Sequence, residues 1–208
     1  MSLFLPILLF VVIAGLIFRI AVVQARKTRA NVRALARQLG LTVTEKKILG
    51  LVARRELNGV VDGRSLRCWT YTTGSGKSQQ HWCAVAVQPR SSGRLTFDIQ
   101  RQDFGTKVME FFGSKEITVG DPVFDAAWFV RTNEPDFLSA ALVREIRGKF
   151  MAALAGGAKG SFALKDGAVC YAERGGFYSA PLTRRLEQQV PLLRDLADLA
   201  EVFAGTKT

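Results

Sequence analysis

Three short stretches of this chain hold the residue types that chemistry needs. The first is Gly74-Ser75-Gly76-Lys77-Ser78, which has the ending of a phosphate-binding loop. The complete motif also needs glycine at position 71 and a helix opening at its end, whose backbone N–H groups hold the phosphate. Position 71 is Tyr71, and Ser78–Gln88 reads as a strand. The stretch is therefore read as a glycine-rich hairpin loop with a solvent-facing lysine. The second is His81 with Cys83. His81 is the only histidine, so an acid–base or triad histidine would have to be this one. Two residues apart on a strand, the pair shares a face. Cys68 would add a third ligand, but a structural zinc site needs four, Cys170 is far off in sequence, and no Cys-x2-Cys pair occurs. Buried thiols beside a histidine at a polar edge is the simpler reading. The third is Asp121 and Asp125 around Pro122. Paired carboxylates can do acid–base work or hold a cation. With no further ligand nearby they read as turn formers. No catalytic, cofactor-binding or metal-ligating residue is assigned, and no cofactor is expected.

The elements that would position these residues alternate in period. Thr28 to Leu39 has helical spacing, with Val32, Leu35, Ala36 and Leu39 on one face, Arg29, Arg33 and Arg37 on another, and Gly40 as the stop. A strand-like stretch, Gly50–Leu57, leads to two turn signals, Asn58-Gly59 and Asp62-Gly63. Arg64–Thr73 and Ser78–Gln88 then form the clearest hairpin. A four-residue loop, Gly74–Lys77, would put Thr73 opposite Ser78, Trp69 opposite Trp82 and Cys68 opposite Cys83. The two tryptophans would share one face and the two thiols the other, with Leu66, Val85 and Val87 making the thiol face the core side. Trp69 and Trp82 would then lie on the second face, either covered by a helix or partly exposed as a partner patch.

Leu95–Gln100 is a further strand, Asp103–Phe112 a short helix and Phe124–Val130 a buried strand. A long helix should follow, capped by Asn133, with Asp136 in its first turn and Leu138, Leu142, Ile146 and Phe150 as its stripe, ending at Gly156-Gly157. Ser161–Leu164 and Val169–Glu173 read as two strands. The last helix spans Leu182 to Phe203, where Pro191 is expected to kink or split it. This order predicts an α+β domain, helices packed on a mostly antiparallel sheet.

Ahead of it stands an apolar segment. Leu3–Phe18 is uncharged, and with Arg19 and Ile20–Val23 the run would extend about 30 Å as a helix, the thickness of a bilayer core. Arg19, near its end, can keep its stem in hydrocarbon and its guanidinium among headgroups. A cleaved signal peptide fits less well, because the flank before the run carries no positive side chain. The expected organisation is a transmembrane anchor over 1–23, a basic juxtamembrane helix over 24–40 and a globular domain over 41–208.

Charge supports this layout. The chain carries +11, and residues 24–47 alone hold seven bases and one acid. Arg26, Lys27, Arg29, Arg33 and Arg37 lie beside the membrane, where anionic headgroups attract each base by about 1 kcal/mol. Concentration of the charge there disfavours a nucleic-acid partner, which wants a basic face on the folded part. By the positive-inside rule the C-terminal side is cytoplasmic, making this a single-pass signal-anchor protein of the inner membrane. Three scattered cysteines suit a reducing compartment.

The stretches Leu35-Ala36-Arg37-Gln38-Leu39-Gly40-Leu41, Asn58-Gly59 to Gly63, and Gly120-Asp121-Pro122-Val123-Phe124-Asp125 carry a resemblance. Over most of residues 28–203 the chain resembles a family of uncharacterised bacterial single-pass membrane-anchored proteins with no assigned activity. The resemblance implies the fold and adds no chemistry. The functional expectation is a membrane-tethered cytoplasmic interaction or scaffold domain with a protein partner yet to be identified. The alternatives are an enzyme with an unrecognised site, around Asp121 and His81, and an anionic-lipid surface sensor acting through the basic helix.

Overall fold

In the computed structural model, which describes residues 4–48, 51–102 and 115–206, the apolar run and the basic segment form one unbroken helix, α1 (Phe4–Leu39). No glycine or proline falls between Leu16 and Leu39, so nothing interrupts the hydrogen-bond ladder. Gly40, at φ +65°, ends it, and the Leu41 N–H closes back on the Ala36 carbonyl at 2.7 Å, a Schellman closure. This is one helix long and apolar enough to cross a membrane. Its most apolar 18-residue window has a mean hydropathy of 2.6 and buries nothing inside the protein. Its last turns behave differently. Val32, Leu35 and Ala36 are buried in the core, and Asn31 Nδ2 donates to the Phe177 carbonyl at 2.8 Å.

The described strands form one sheet: β1 (Thr42–Ile48), β2 (Leu51–Val61), β3 (Arg64–Thr73), β4 (Gln80–Gln88), β5 (Phe97–Arg101), β6 (Lys115–Ile117), β7 (Trp128–Thr132), β8 (Ser161–Lys165) and β9 (Ala168–Arg174). Their spatial order is β1-β2-β3-β4-β9-β8-β5-β7-β6, and every neighbouring pair is antiparallel. The other helices are α2 (Pro122–Ala127), α3 (Pro135–Ala141), α4 (Arg144–Ala155) and α5 (Ala180–Thr206). α5 lies along β4 and β9, and packs on α1 and α4. The fold class is therefore α+β, as expected. The core pairs the inward residues of the sheet with α5. At its centre Trp128, Phe150 and Phe162 meet edge to face at ring separations of 5.0 to 5.8 Å. Such contacts add about 0.5–1.5 kcal/mol each beyond area burial.

Several expectations need correction. Asn58-Gly59 is not a turn; β2 runs through it, and only Asp62-Gly63 reverses the chain. Gly59 serves packing instead, since a Cβ there would stand 2.5 Å from Leu41 Cδ2. Phe124–Val130 is not one strand. Asp121 caps α2 by accepting from Val123 N and Phe124 N, each at 3.2 Å, and Asp125 accepts from Val119, Gly120 and Asp121 N–H groups. These local bonds hold a helical turn before β7 starts at Trp128. The expected long helix is two, α3 and α4, separated at Leu142-Val143, where no glycine or proline marks the break. Asn133 does not cap α3; its side chain ties β5 to β7, accepting from Thr96 N at 2.8 Å and donating to Arg94 O at 2.7 Å. Glu134 holds the cap position. Pro191 sits on the exposed side of α5, which continues through it without splitting. The helix expected over Asp103–Phe112 lies outside the described residues.

One ionic clamp joins the start of β3 to the end of α5. Buried Arg64 donates from Nε and Nη2 to the Glu201 carboxylate, both at 2.8 Å, and from Nη2 to Asp198. The Arg90 N–H also donates to Glu201 at 2.8 Å. The Arg64 hydrogen bond pulls the Glu201 carboxyl down to about 2, from an ordinary 4.5. The folded state thus holds the charged form, and this contribution is present above the ordinary value and lost as pH falls toward 2. Glu201→Gln should cost about 1–3 kcal/mol at pH 7, because it leaves a buried guanidinium short of a charged partner. In urea titrations of the full-length chain in detergent, wild type should lose stability between pH 4.5 and 2 more steeply than Glu201→Gln; equal slopes would remove the clamp from the account.

Candidate functional site

The β3–β4 hairpin was expected to close on four loop residues, and it uses six. Ser78 N and Oγ both donate to the Ser75 carbonyl, at 3.1 and 2.8 Å, within a single 3-10 turn over Gly76–Ser78. Gly74 makes this close, at φ +75°; a Cβ there would stand 2.6 Å from the Ser78 carbonyl oxygen. Thr73 therefore pairs with Gln80, not Ser78, and Cys68 opposes Val85, not Cys83. Trp69 opposes Ala84, and Tyr71 opposes Trp82. The register is shifted by two residues from the expected one. An even shift leaves every side chain on its own face, so Trp69 and Trp82 still share one face and the two thiols the other.

On the core face, Leu66, Cys68, Cys83, Val85 and Val87 are buried. Burial pushes the Cys68 thiol up to about 12 and raises that of Cys83 as well. Both stay protonated at neutral pH, the form that neither attacks nor ligates. His81 lies at the exposed end of this face, with Nδ1 3.2 Å from Thr72 Oγ1. Among the described residues no cluster of three or more histidine, cysteine or acidic side chains converges. Lys77 stands in the exposed 3-10 turn, which runs into a strand and not into a helix. His81 and Asp121 are not brought together; β9, β8, β5 and β7 separate β4 from the edge where Asp121 caps α2 and pairs with Arg147 at 3.2 Å.

The face turned away from α5 carries the more informative cluster. Tyr71 and Trp82 stack with ring centroids 6.3 Å apart and planes 11° from parallel. Trp69 joins them 6.5 Å from Tyr71, and the Arg67 guanidinium lies 5.0 Å from the Trp69 ring centroid. Trp82 Nε1 donates to Thr73 Oγ1 at 2.8 Å. All three rings are half-buried, whereas Arg67 is exposed. Burial pushes the Tyr71 hydroxyl up to about 12, so it remains a neutral donor. Across β4 the same face narrows to Ala84 and Ala86, followed by Cys170 and Ala172 on β9. The result is a row of rigid aromatic bodies with polar tips beside a strip of small residues. No nucleophile–base pair is part of it. Such a surface suits recognition, since aromatic and arginine side chains dominate binding energetics. Trp69 and Trp82 were legible in sequence. Arg67 and Tyr71 were missed, although their alternation with Trp69 on one strand carries the signal.

Two further features complete the chemistry. Inside the core, Tyr171 Oη donates to buried Glu173 at 2.7 Å and accepts from the Lys159 and Gly160 N–H groups, while Arg185 Nε donates to Glu173 at 3.0 Å. This network is fully partnered and locks α5 to β9. It joins distant parts of the chain, so no local pattern announced it. Between α3, α4 and α5 runs an apolar groove of about 580 Å³, lined by Phe137, Val143, Ile146, Leu199 and Val202. Arg26, Lys27, Arg29, Arg33 and Arg37 are all exposed on α1. Arg29 and Arg33 border a hollow with Glu45 and Arg55 of the first two strands, which are themselves paired at 2.8 Å.

No family model matches the sequence, and no curated protein does. Among solved structures, the chain is similar to the crystal structure of the mycobacterial trehalose monomycolate transport factor A, TtfA. The TM-score is 0.56 at 12% identity, over 83% of this chain and 93% of that one. At this identity the likeness speaks for the fold of the domain alone.

Proposed function

We propose that this protein is a single-pass membrane-tethered interaction domain that presents the Arg67–Trp69–Tyr71–Trp82 face to a protein partner on the cytoplasmic side of the inner membrane. The observation that carries this reading is the stacked, half-buried aromatic row beside an exposed arginine, on the face of the sheet away from the helices. Aromatic rings left partly wet are costly to keep unless something covers them, and their small rotamer freedom makes them efficient anchors. The similar fold of a protein named a transport factor is compatible with this reading.

A photo-crosslinking amino acid at Arg67 of the full-length chain in native membranes tests the face. It should give a discrete adduct that Trp69→Ala with Trp82→Ala reduces about tenfold or more, as expected when two hot-spot aromatics each contribute 1–2 kcal/mol. The same probe at Glu187, on α5, should give none. Adducts that form equally well without the tryptophans would contradict the assignment. Orientation has its own test: alkaline phosphatase fused after Thr208 should be inactive, and a strongly active fusion would place the domain on the other side.

A further inference from the structure

We propose a second site, a notch at the foot of the domain between α1 and Tyr178 that binds one anionic glycerophospholipid. One face of α1 lines it with Leu16, Ile20, Val23 and Gln24, the cations Arg19 and Lys27 border it, and Tyr178 stands across, enclosing about 460 Å³. It rests on α1 crossing the bilayer.

Three observations converge on this ligand. The first is depth. With the apolar run ending at Val23, Arg19 lies about 6 Å inside the hydrocarbon boundary and Lys27 about 6 Å outside it, at the rise of a helix. The notch therefore straddles the level at which lipid phosphates sit. The second is charge. Among the described residues neither Arg19 nor Lys27 forms an ion pair, and no acidic side chain lines the notch. Long basic stems reach toward one another's level along the helix, so a phosphate between them would satisfy both. Leu16, Ile20 and Val23 offer an acyl chain an apolar path below. The third is that Tyr178 is placed there by the fold. Phe177 is buried in the core and its carbonyl is held by Asn31 Nδ2 at 2.8 Å. The Tyr178 ring lies over Gly176, where a Cβ would come within 2.9 Å of it. The ring is thus fixed, yet 47% exposed. A tyrosine with an apolar body and a wet hydroxyl is the residue that favours the headgroup layer.

The test uses the full-length chain in mild detergent, offered equimolar phosphatidylglycerol and phosphatidylcholine and read by native mass spectrometry. Wild type should retain one phosphatidylglycerol in preference to phosphatidylcholine. Arg19→Gln with Lys27→Gln should reduce that retention roughly tenfold or more, two bases being removed from the phosphate. Tyr178→Ala, at an exposed position, should weaken it without loss of the folded charge-state distribution. Arg29→Gln with Arg33→Gln, outside the notch, should cost markedly less retention than the Arg19 and Lys27 changes. Retention unaffected by the Arg19 and Lys27 changes, or equal loss with the Arg29 and Arg33 changes, would overturn the proposal. Displacement of the lipid by millimolar inorganic phosphate would assign the cations to free phosphate and overturn it too. Failure of the span itself would appear separately, as release of the chain from membranes by alkaline carbonate.

Discussion

The whole arrangement hangs on the point where α1 stops being an outward-facing apolar helix, long enough to cross a membrane, and becomes part of the domain core. Above that point the side chains from Ile7 to Val23 are exposed, apart from half-buried Val22. Below it Val32, Leu35 and Ala36 are buried, Asn31 is bonded to the Phe177 carbonyl, and α1 packs on α5. Burying a valine and a leucine contributes about 1.5–3 kcal/mol each. Because the helix has no break between these two environments, a domain anchored to its last turns inherits the direction of the apolar run. A flexible linker would leave the sheet free to tumble; a continuous helix with a buried face does not.

That constraint relates the surfaces to one another. The Arg67–Trp69–Tyr71–Trp82 row and the helical groove belong to one rigid sheet-and-helix body. Tyr178, carried on the loop between β9 and α5, stands beside α1 at the level where the apolar run gives way to charge. The buried chemistry of the domain serves rigidity. The thiols of Cys68 and Cys83 are held protonated, Glu173 is saturated by Tyr171 and Arg185, and Arg64 is clamped by two acids. Satisfied buried polar networks fix a single packing. These buried ionisable groups are thereby engaged in structure.

Much of this was readable from local pattern. The apolar run, the basic segment after it, the hairpin and the amphipathic last helix each follow from composition and period. What failed had competing local or distant causes. The hairpin register depended on a 3-10 turn that takes up Ser78 and Gln79, which no alternation of apolar residues encodes. Phe124 has a strand-former's side chain, but Asp121 and Asp125 bond the backbone around it into a helical turn. Asn133 has a cap's chemistry, yet two backbone groups of the neighbouring Arg94–Thr96 segment claim its amide first. In the candidate site, parity alone put Trp69 and Trp82 on one face. Tyr71 and Arg67 lie on the same strand at the same parity, but their grouping with Trp82 depends on the pairing of Tyr71 with Trp82 across the hairpin. The Tyr171–Glu173–Arg185 network needs the β9–α5 contact before it exists at all.

The central claim is that α1 is continuous from the bilayer into the domain. Hydrogen exchange followed by mass spectrometry on the full-length chain in lipid nanodiscs measures this directly at residues 24–36. The account predicts slow exchange without interruption from Gln24 through Ala36, at the level of the buried last turns. Fast exchange confined to residues 24–30, with protection on both sides, would mean a hinge there and would contradict it.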